Sequence, residues 1–505
     1  DHHVTPPSHA AAALGGSASS LPPRARAAVI TLTSEALQLF TALYDRAALR
    51  AAWGPRAWLW PKLPASELTP DAAAADMHDD DVDDGTGLSG GVDALEPGVS
   101  PRAALVLSRM PQVVPFQDRV ALFTALLAEE REARHQPWGR GPRLAVRRDR
   151  IFEDSYEGFA VLVRDHGPAV LRDRLQISFV NEAGMAEAGI DGGGLFKEWL
   201  DVLSVRAFDP HYGMVVAGPD GTLAPNPASA AIADDDVQQL TFLGQLLGKA
   251  VYEGLLIAPE FAGFFVNKLL GKANHVDDLA SLDPDLAHNL LSLKSYEGDW
   301  EDLSLYFEVQ EERLGAASTH ELVPGGSEIA VTAANVQQFI GLTAHYMLNL
   351  RVARQARAFI AGFATVLPLA WIRKFSREEF ALLVGGTQRD IDVDEWRAAT
   401  NYSGGYHDAH AAIGWFWEIV RDFAHDDRAA LLRFVTSVAR PPLLGFRHLN
   451  PPLCVMRVPI SHDAERLPTS ATCMNLLKLP EYSSKAALRD KLLYAIHEAK
   501  GFELS

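Results

Sequence analysis

Cysteine is scarce in this sequence, with two thiols among 505 residues. That excludes a disulfide scaffold and a cysteine-rich zinc module, because both need several thiols at set spacings. The 17 histidines show no HExxH pair, and no CxxC pair occurs, so no metal and no cofactor is expected. Long apolar runs are missing as well. The longest, Phe359 to Ile372, falls short of the ~20 residues a bilayer requires and contains Pro368. Basic charge is in deficit, with 46 Lys+Arg against 65 Asp+Glu and a net charge of −19. A chain devoted to neutralising nucleic-acid phosphates would have the opposite balance. The chain begins Asp1-His2-His3, without an initiator Met or a basic-then-apolar leader. A portion of a longer protein, working in the cytosol or nucleus, is the expectation.

What the chain does have is enough apolar material to fold. It is 48% hydrophobic and 22% charged, which suits two to four domains or one large lobed unit. Residues 1–63 read as a partly disordered start, then a helical remnant carrying Leu32, Leu39 and Leu43 and closing on Trp53, Trp58 and Trp60. Residues 64–100 read as an acidic Gly/Pro-rich linker, with six Asp between Asp76 and Asp84. Those Asp do not form a calcium loop. Setting Gly85 at the turn glycine puts Val82 and Gly91 where oxygen ligands are needed. The arginines between Arg131 and Arg150 lack aromatic interleaving and read as surface or inter-lobe charge.

From Pro101 the pattern is globular. Gln238 to Glu253 sets Leu240, Leu243, Leu247 and Val251 on one helical face. Thr332 is placed to start a helix carrying Val336, Phe339, Ile340, Leu342 and Tyr346. Gly404 and Gly405, inside NYSGGY, suit a hinge over 403–410. Leu453 to Val458 alternates as a strand, and a last helix follows Ser484 with Leu488, Leu492 and Ile496 buried. Gly192-Gly193-Gly194 lacks the spacing of a phosphate loop and reads as a tight turn.

The two thiols divide. Cys454 sits in an apolar strand pattern and reads as packing. Cys473 follows a proline and small polar residues in a loop that leads into the strand Leu476 to Leu479. Thiolate is the nucleophilic form, and an unperturbed thiol with pKa ~8.5 is only slightly ionised near neutrality. Cleaving an amide requires a positioned base. The nearest histidine, His462, lies eleven residues upstream. A thioester is already activated and needs mainly access and alignment, so acyl exchange fits the loop better than amide hydrolysis. A cysteine hydrolase and a non-catalytic binding module with a structural Cys473 stay as alternatives.

The segment LPTSATCMNLLKL at Leu467–Leu479, then PEYSSK and the terminal GFELS, closely resembles the end of HECT-type ubiquitin-protein ligases. Glu187–Glu198, Ala224-Pro225-Asn226-Pro227, Leu243–Ala250, Glu321–Gly326 and Ile413–Trp417 resemble further signatures of that family, in order. The wording is most similar to the plant UPL-type branch and its animal relatives. The resemblance implies an α+β bilobal HECT-like fold. A mainly α N-lobe over 101–402 would include a conjugating-enzyme docking sub-region near 262–346. A flexible hinge over 403–410 would lead to a small α/β C-lobe over 411–505.

It also implies a ubiquitin transferase. Cys473 would carry ubiquitin as a thioester and Thr472 would orient it. Phe502 would position the attacking lysine, with a tail aromatic covering the C-lobe core as the lesser alternative. Where many members have a histidine two residues before the cysteine, this chain has Ala471. Glu503 or the terminal carboxylate could take the lysine proton. Phe339, Leu342 and Tyr346 would line the docking groove, with Leu303, Leu305 and Phe307 on a neighbouring strand; ordinary core positions fit the same spacing. Implied partners are ubiquitin, a conjugating enzyme, protein substrates with acceptor lysines and the proteasome, with no nucleic acid and no membrane span.

Overall fold

The computed structural model describes residues 23–46, 50, 52–59, 106–134, 141–180, 194–313, 316–386, 390–436, 438–449 and 451–498. The chain divides into two compact units. One runs to Leu126 and includes Lys374–Ser376; the other comprises Leu127–Arg373 and Arg377–Ser505.

In the first unit the helix Pro23–Asp45 forms as the apolar pattern predicts, but its buried seam is aromatic. Trp58 is enclosed by Phe40, Tyr44 and Trp53, with ring centroids 5.0–5.4 Å away. Leu32 and Leu39 stand exposed. Phe40 and Tyr44 lie one turn apart and each covers more area than a leucine, so their face wins. Elsewhere in this unit the buried Arg119 guanidinium donates to Val114 O and Lys374 O and lies against the Phe116 and Phe375 rings. The 64–100 stretch lies outside the described residues.

Among its described residues the second unit mixes helices with four small sheets. Strand β1 (Arg143–Arg147) pairs in parallel with β2 (Gln176–Val180). Strands β3 (Val215–Ala217) and β4 (Leu223–Pro225) pair antiparallel, as do β5 (Glu308–Arg313) and β6 (Ala316–Glu321). The last sheet contains β7 (Asn401–Ser403), β8 (Cys454–Val458), β9 (Thr469–Ala471) and β10 (Leu476–Pro480), in the order β7-β8-β10-β9. The edge strand β9 runs antiparallel to β10, while β7–β8 and β8–β10 are parallel.

The helical part is organised around one close crossing. Helix Asp236–Glu253 buries Leu240, Leu243, Leu247 and Val251, as expected. It packs on helix Ala353–Val366 through facing glycines. A Cβ on Gly244 would collide with the Phe359 carbonyl, and one on Gly362 with the Thr241 carbonyl. Backbone therefore meets backbone, which only glycine permits. At the start of the first helix, burial alone would push the Asp236 carboxyl up. Arg354, bound through both carboxylate oxygens at 2.7 Å, and the Ser229 hydroxyl outweigh that and hold it below the usual range.

A separate apolar core occupies the C-terminal part. It begins at Ile391, Val393 and Trp396, takes in Ile413, Phe416, Trp417, Leu431, Val455 and Leu477, and ends at Leu488, Leu492 and Ile496. The helix Lys485–Glu498 starts as expected, with Ser484 Oγ accepting from Ala487 N.

This core corrects the expected hinge at 403–410. Residues 401–403 are strand β7, paired to β8. Gly404 and Gly405 adopt φ 70° and 103° and wrap the chain round Arg457, Tyr406 is buried, and His410 caps the next helix. Both φ values lie where glycine alone is unstrained. Helix Val336–His345 also starts later than expected, with Asn335 as its cap residue, and continues into a π-helical turn at Tyr346–Leu350.

Gly244→Ala should drive the two helices apart and remove ~3 kcal/mol or more of stability, as overpacking against rigid backbone does. Urea denaturation measures it, and a midpoint equal to that of the unaltered chain would contradict the close crossing.

Candidate functional site

The hairpin of β9 and β10 sets Ala471 opposite Leu476 and closes through four residues. Thr472–Met474 form one 3₁₀ turn, and Asn475 follows in the left-handed conformation at φ 45°. Asparagine tolerates that region better than other side chains with a Cβ. Asn475 N donates to Thr472 O at 3.3 Å, and Asn475 O accepts from Cys454 N at 3.0 Å. The Asn475 side chain is wholly buried, yet fully used. Its Nδ2 donates to Pro451 O at 2.6 Å, and its Oδ1 accepts from Lys197 Nζ at 3.3 Å. Every polar atom of this residue therefore fixes the turn.

The Cys473 backbone lies within that turn, next to half-exposed Met474 and half-buried Thr472. The Cys473 side chain, and all of Phe502 and Glu503, lie outside the described residues. Strand β9 is the outer strand of its sheet, so the turn lies at a sheet margin. Cys454 is only partly buried, with its Sγ 3.3 Å from Ser403 Oγ, and sits on β8 in the next parallel strand. It is packing with one polar neighbour.

The loop leading into β9 is tied down by the residues after β10. Tyr482 Oη donates to Arg466 O at 2.7 Å. Burial pushes its phenol pKa up, so it stays a donor. Ser483 donates through both its backbone N and its hydroxyl to Asp463, and the hydroxyl bond holds that carboxyl below its usual range. Glu481 pairs with Arg457 and stands 3.4 Å from His410 Nε2. The PEYSS sequence thus anchors the two ends of the cysteine hairpin.

The other quoted motifs also have structural roles. Asn226 Nδ2 donates to Gly213 O and its Oδ1 accepts from Ala228 N, which shapes the Pro225–Pro227 corner. Lys249, buried in the LGKA sequence, donates to Asp173 O at 2.9 Å and pairs with Glu253 at 2.5 Å. Glu321 accepts from Gly325 N, Ser327 N and Ser327 Oγ, closing the turn after β6. Trp417 Nε1 donates to Tyr402 Oη at 2.9 Å. Residues 187–193 of the early motif lie outside the described residues.

The expected docking residues separate by burial. Phe307 and Phe339 meet edge to face at 5.6 Å inside their own sub-region, and Tyr346 stacks on His320 at 4.1 Å. All three are buried. Leu303, Leu305 and Leu342 are half-buried. The strand expected across 303–307 is a 3₁₀ turn at Glu301–Leu303, broken by Ser304 at φ 48°, and regular pairing begins only at Glu308. Tyr306 and Ile329 carry the exposed apolar surface instead, at 40% and 41% exposure. They are adjacent, because Tyr306 bridges to Ala330 and Phe307 N donates to Ile329 O. Reading WEDLSLYFEV as an even alternation hid them. Asn475 and Lys197 were missed although both lie inside family signatures, because neither signature shows that the two side chains meet.

Among the described residues no group of His, Cys, Asp or Glu is placed to hold a metal, and no helix is long and apolar enough to cross a membrane. Comparison with known families matches residues 201–505 to the HECT-domain (ubiquitin-transferase). The E3 ubiquitin-protein ligase UPL6 of Arabidopsis thaliana is 43% identical over 409 residues, covering 80% of this chain and 39% of that protein. The ubiquitin-protein ligase E3B of Homo sapiens is 40% identical over 438 residues, covering 80% and 40%. The E3 ubiquitin-protein ligase HUL5 of Saccharomyces cerevisiae is 34% identical over 421 residues, covering 79% and 45%. The chain thus spans about two-fifths of the length of these curated relatives. A transferase family, with ligases among the relatives, speaks against the hydrolase and binding-module readings. The α+β chain with Cys473 in a closed hairpin turn belongs to the HECT-domain ubiquitin-transferase family.

Proposed function

We propose that this chain is the catalytic region of a ubiquitin-protein ligase and that Cys473 is its acyl carrier. The carrying observation is the position of Cys473 in a turn at the sheet margin, inside the family's matched span. The chemistry is two acyl transfers. The Cys473 thiolate attacks the carbonyl of the ubiquitin thioester on a conjugating enzyme, and that enzyme's thiol leaves. A substrate lysine amine then attacks the new thioester, an isopeptide bond forms, and the Cys473 sulfur leaves. The amine proton passes to a base, for which Glu503 or the terminal carboxylate is suited. Thr472 orients the thioester and Phe502 positions the acceptor. No cofactor takes part.

A two-lobed arrangement serves this relay, because the thiol must meet first a conjugating enzyme and then a lysine. Its support is the separate core over Ile391–Ile496. That core touches the helical part through Lys197–Asn475 and through Arg440, which bonds Gly385 O and Glu260. The conjugating enzyme docks on the sub-region of about 262–346, against Leu303, Leu305 and Leu342 with exposed Tyr306 and Ile329; buried Phe307, Phe339 and Tyr346 support that surface from beneath. Ubiquitin, a conjugating enzyme and lysine-bearing proteins are the partners. The proteasome receives the marked products. Free-thiol chemistry suits a cytosolic or nuclear setting.

Incubation with ubiquitin, activating enzyme and conjugating enzyme should give a thiol-reducible adduct that survives Cys454→Ala and disappears in Cys473→Ala. An adduct that persists in Cys473→Ala would refute the carrier role. Tyr306→Ala combined with Ile329→Ala should weaken conjugating-enzyme binding ~10-fold or more, as loss of an apolar anchor does, with unchanged thermal unfolding. Titration of the charging rate reads it, and an unaltered half-saturation would remove this surface from the docking site.

A further inference from the structure

We propose that Lys197 is a positioning residue for Cys473 and acts through the Asn475 side chain; this rests on the carrier role of Cys473. Three of the Asn475 restraints come from its own module: its N donates to Thr472 O, Pro451 O takes its amide hydrogen, and Cys454 N donates to its carbonyl. The remaining one does not. Lys197 projects from the helix Gly194–Ala207, whose Trp199, Leu200 and Leu203 are buried in the helical part and whose Trp199 Nε1 donates to Ser155 Oγ at 2.8 Å. A rigid helix from outside the C-terminal core therefore holds the residue that closes the cysteine turn.

The physical case rests on what Asn475 would lose without this contact. It is wholly buried and left-handed, one of two non-glycine residues at positive φ among those described. A conformation of that kind persists only where its surroundings over-determine it. Removing Lys197 leaves a buried amide oxygen without its charged donor, an arrangement that favours rearrangement of the side chain. The turn at Thr472–Asn475 then samples other shapes, and the sulfur is aligned for transfer in a smaller fraction of molecules. Alignment errors of this size are costly in acyl transfer, since much of the rate comes from held geometry. The ammonium bonds the residue two positions after Cys473 in the chain, and positive potential near a thiol favours thiolate.

The test uses the full chain in a Cys454→Ala background. Single-turnover discharge of the Cys473 thioester to free lysine is measured for Lys197→Met, Lys197→Arg, Asn475→Gly and the double variant. Glycine keeps the positive φ while deleting the side chain, so it separates the amide from the backbone shape. Lys197→Met and Asn475→Gly should each slow discharge ~10-fold, the double variant should be no slower than the slower single, and Lys197→Arg should recover most of the rate, with each variant still unfolding cooperatively above the assay temperature. A multiplicative double variant, or wild-type discharge in Lys197→Met, would overturn the proposal. Iodoacetamide alkylation of Cys473 across pH provides a readout that needs no ubiquitin. Lys197→Met should shift that profile upward and slow alkylation near neutrality ~3-fold; an unshifted profile counts against the lysine. If the unaltered chain forms no thioester, the carrier role fails by itself, and the alkylation profile still decides whether Lys197 acts on the thiol.

Discussion

The backbone of Asn475 determines where the thiol can be. Its left-handed φ turns the chain sharply enough for β10 to begin at once, and its carbonyl stitches that turn to Cys454 on β8. Those two facts place Cys473 at the head of a hairpin whose other strand is the sheet margin. The rest of the C-terminal module can be read as support for this arrangement. Tyr482 and Ser483 hold the approach loop, the helix from Lys485 covers the sheet with Leu488 and Leu492, and Trp396 stacks on Phe446 to close the far side of the core. None of these residues needs to touch a reacting atom to matter, because a loop nucleophile is only as well placed as the scaffold that bounds it.

Periodicity made the regular elements legible. The face Leu240, Leu243, Leu247 and Val251 is buried as its spacing demands, and the strands at 454 and 476 and the final helix stand where alternation and capping put them. The glycine pair at 404–405 was legible as a special backbone position, and the structure shows the turn it makes. Sequence shows that a residue tolerates positive φ; only the pairing of β7 with β8 shows that the tolerance serves a tight turn inside a core. Likewise, 303–307 alternates in hydrophobicity, but Ser304 breaks the strand there and exchanges which side chains face out.

Side-chain partners separated by hundreds of residues were the least legible. Lys197 and Asn475 are 278 positions apart; each lies inside a family signature, Glu187–Glu198 and Leu467–Leu479, but neither signature marks their pairing. Their meeting depends on a helix from one core and a turn from another, which only tertiary structure brings together. The motifs were informative in a different way. PEYSS, LGKA and the corner at Asn226 were recognisable as signatures before their physics was visible, and the structure assigns each a hydrogen-bonding task in the scaffold.

That division bears on what catalysis here requires. An amide-cleaving thiol depends on a base held beside it, so its site would be a cluster of polar side chains around the sulfur. An acyl carrier starts from an activated bond and must mainly present its sulfur, in one shape, to two successive partners. Selection of that kind acts on the turn and its supports. It is consistent with the polar investment found here: a buried asparagine with all its groups engaged, a buried phenol holding a loop carbonyl, and a lysine reaching in from the neighbouring core. The same logic suits a polar contact at 3.3 Å between Lys197 and Asn475. A carrier that must leave one partner for another is served by a restraint strong enough to align the turn and weak enough to release it.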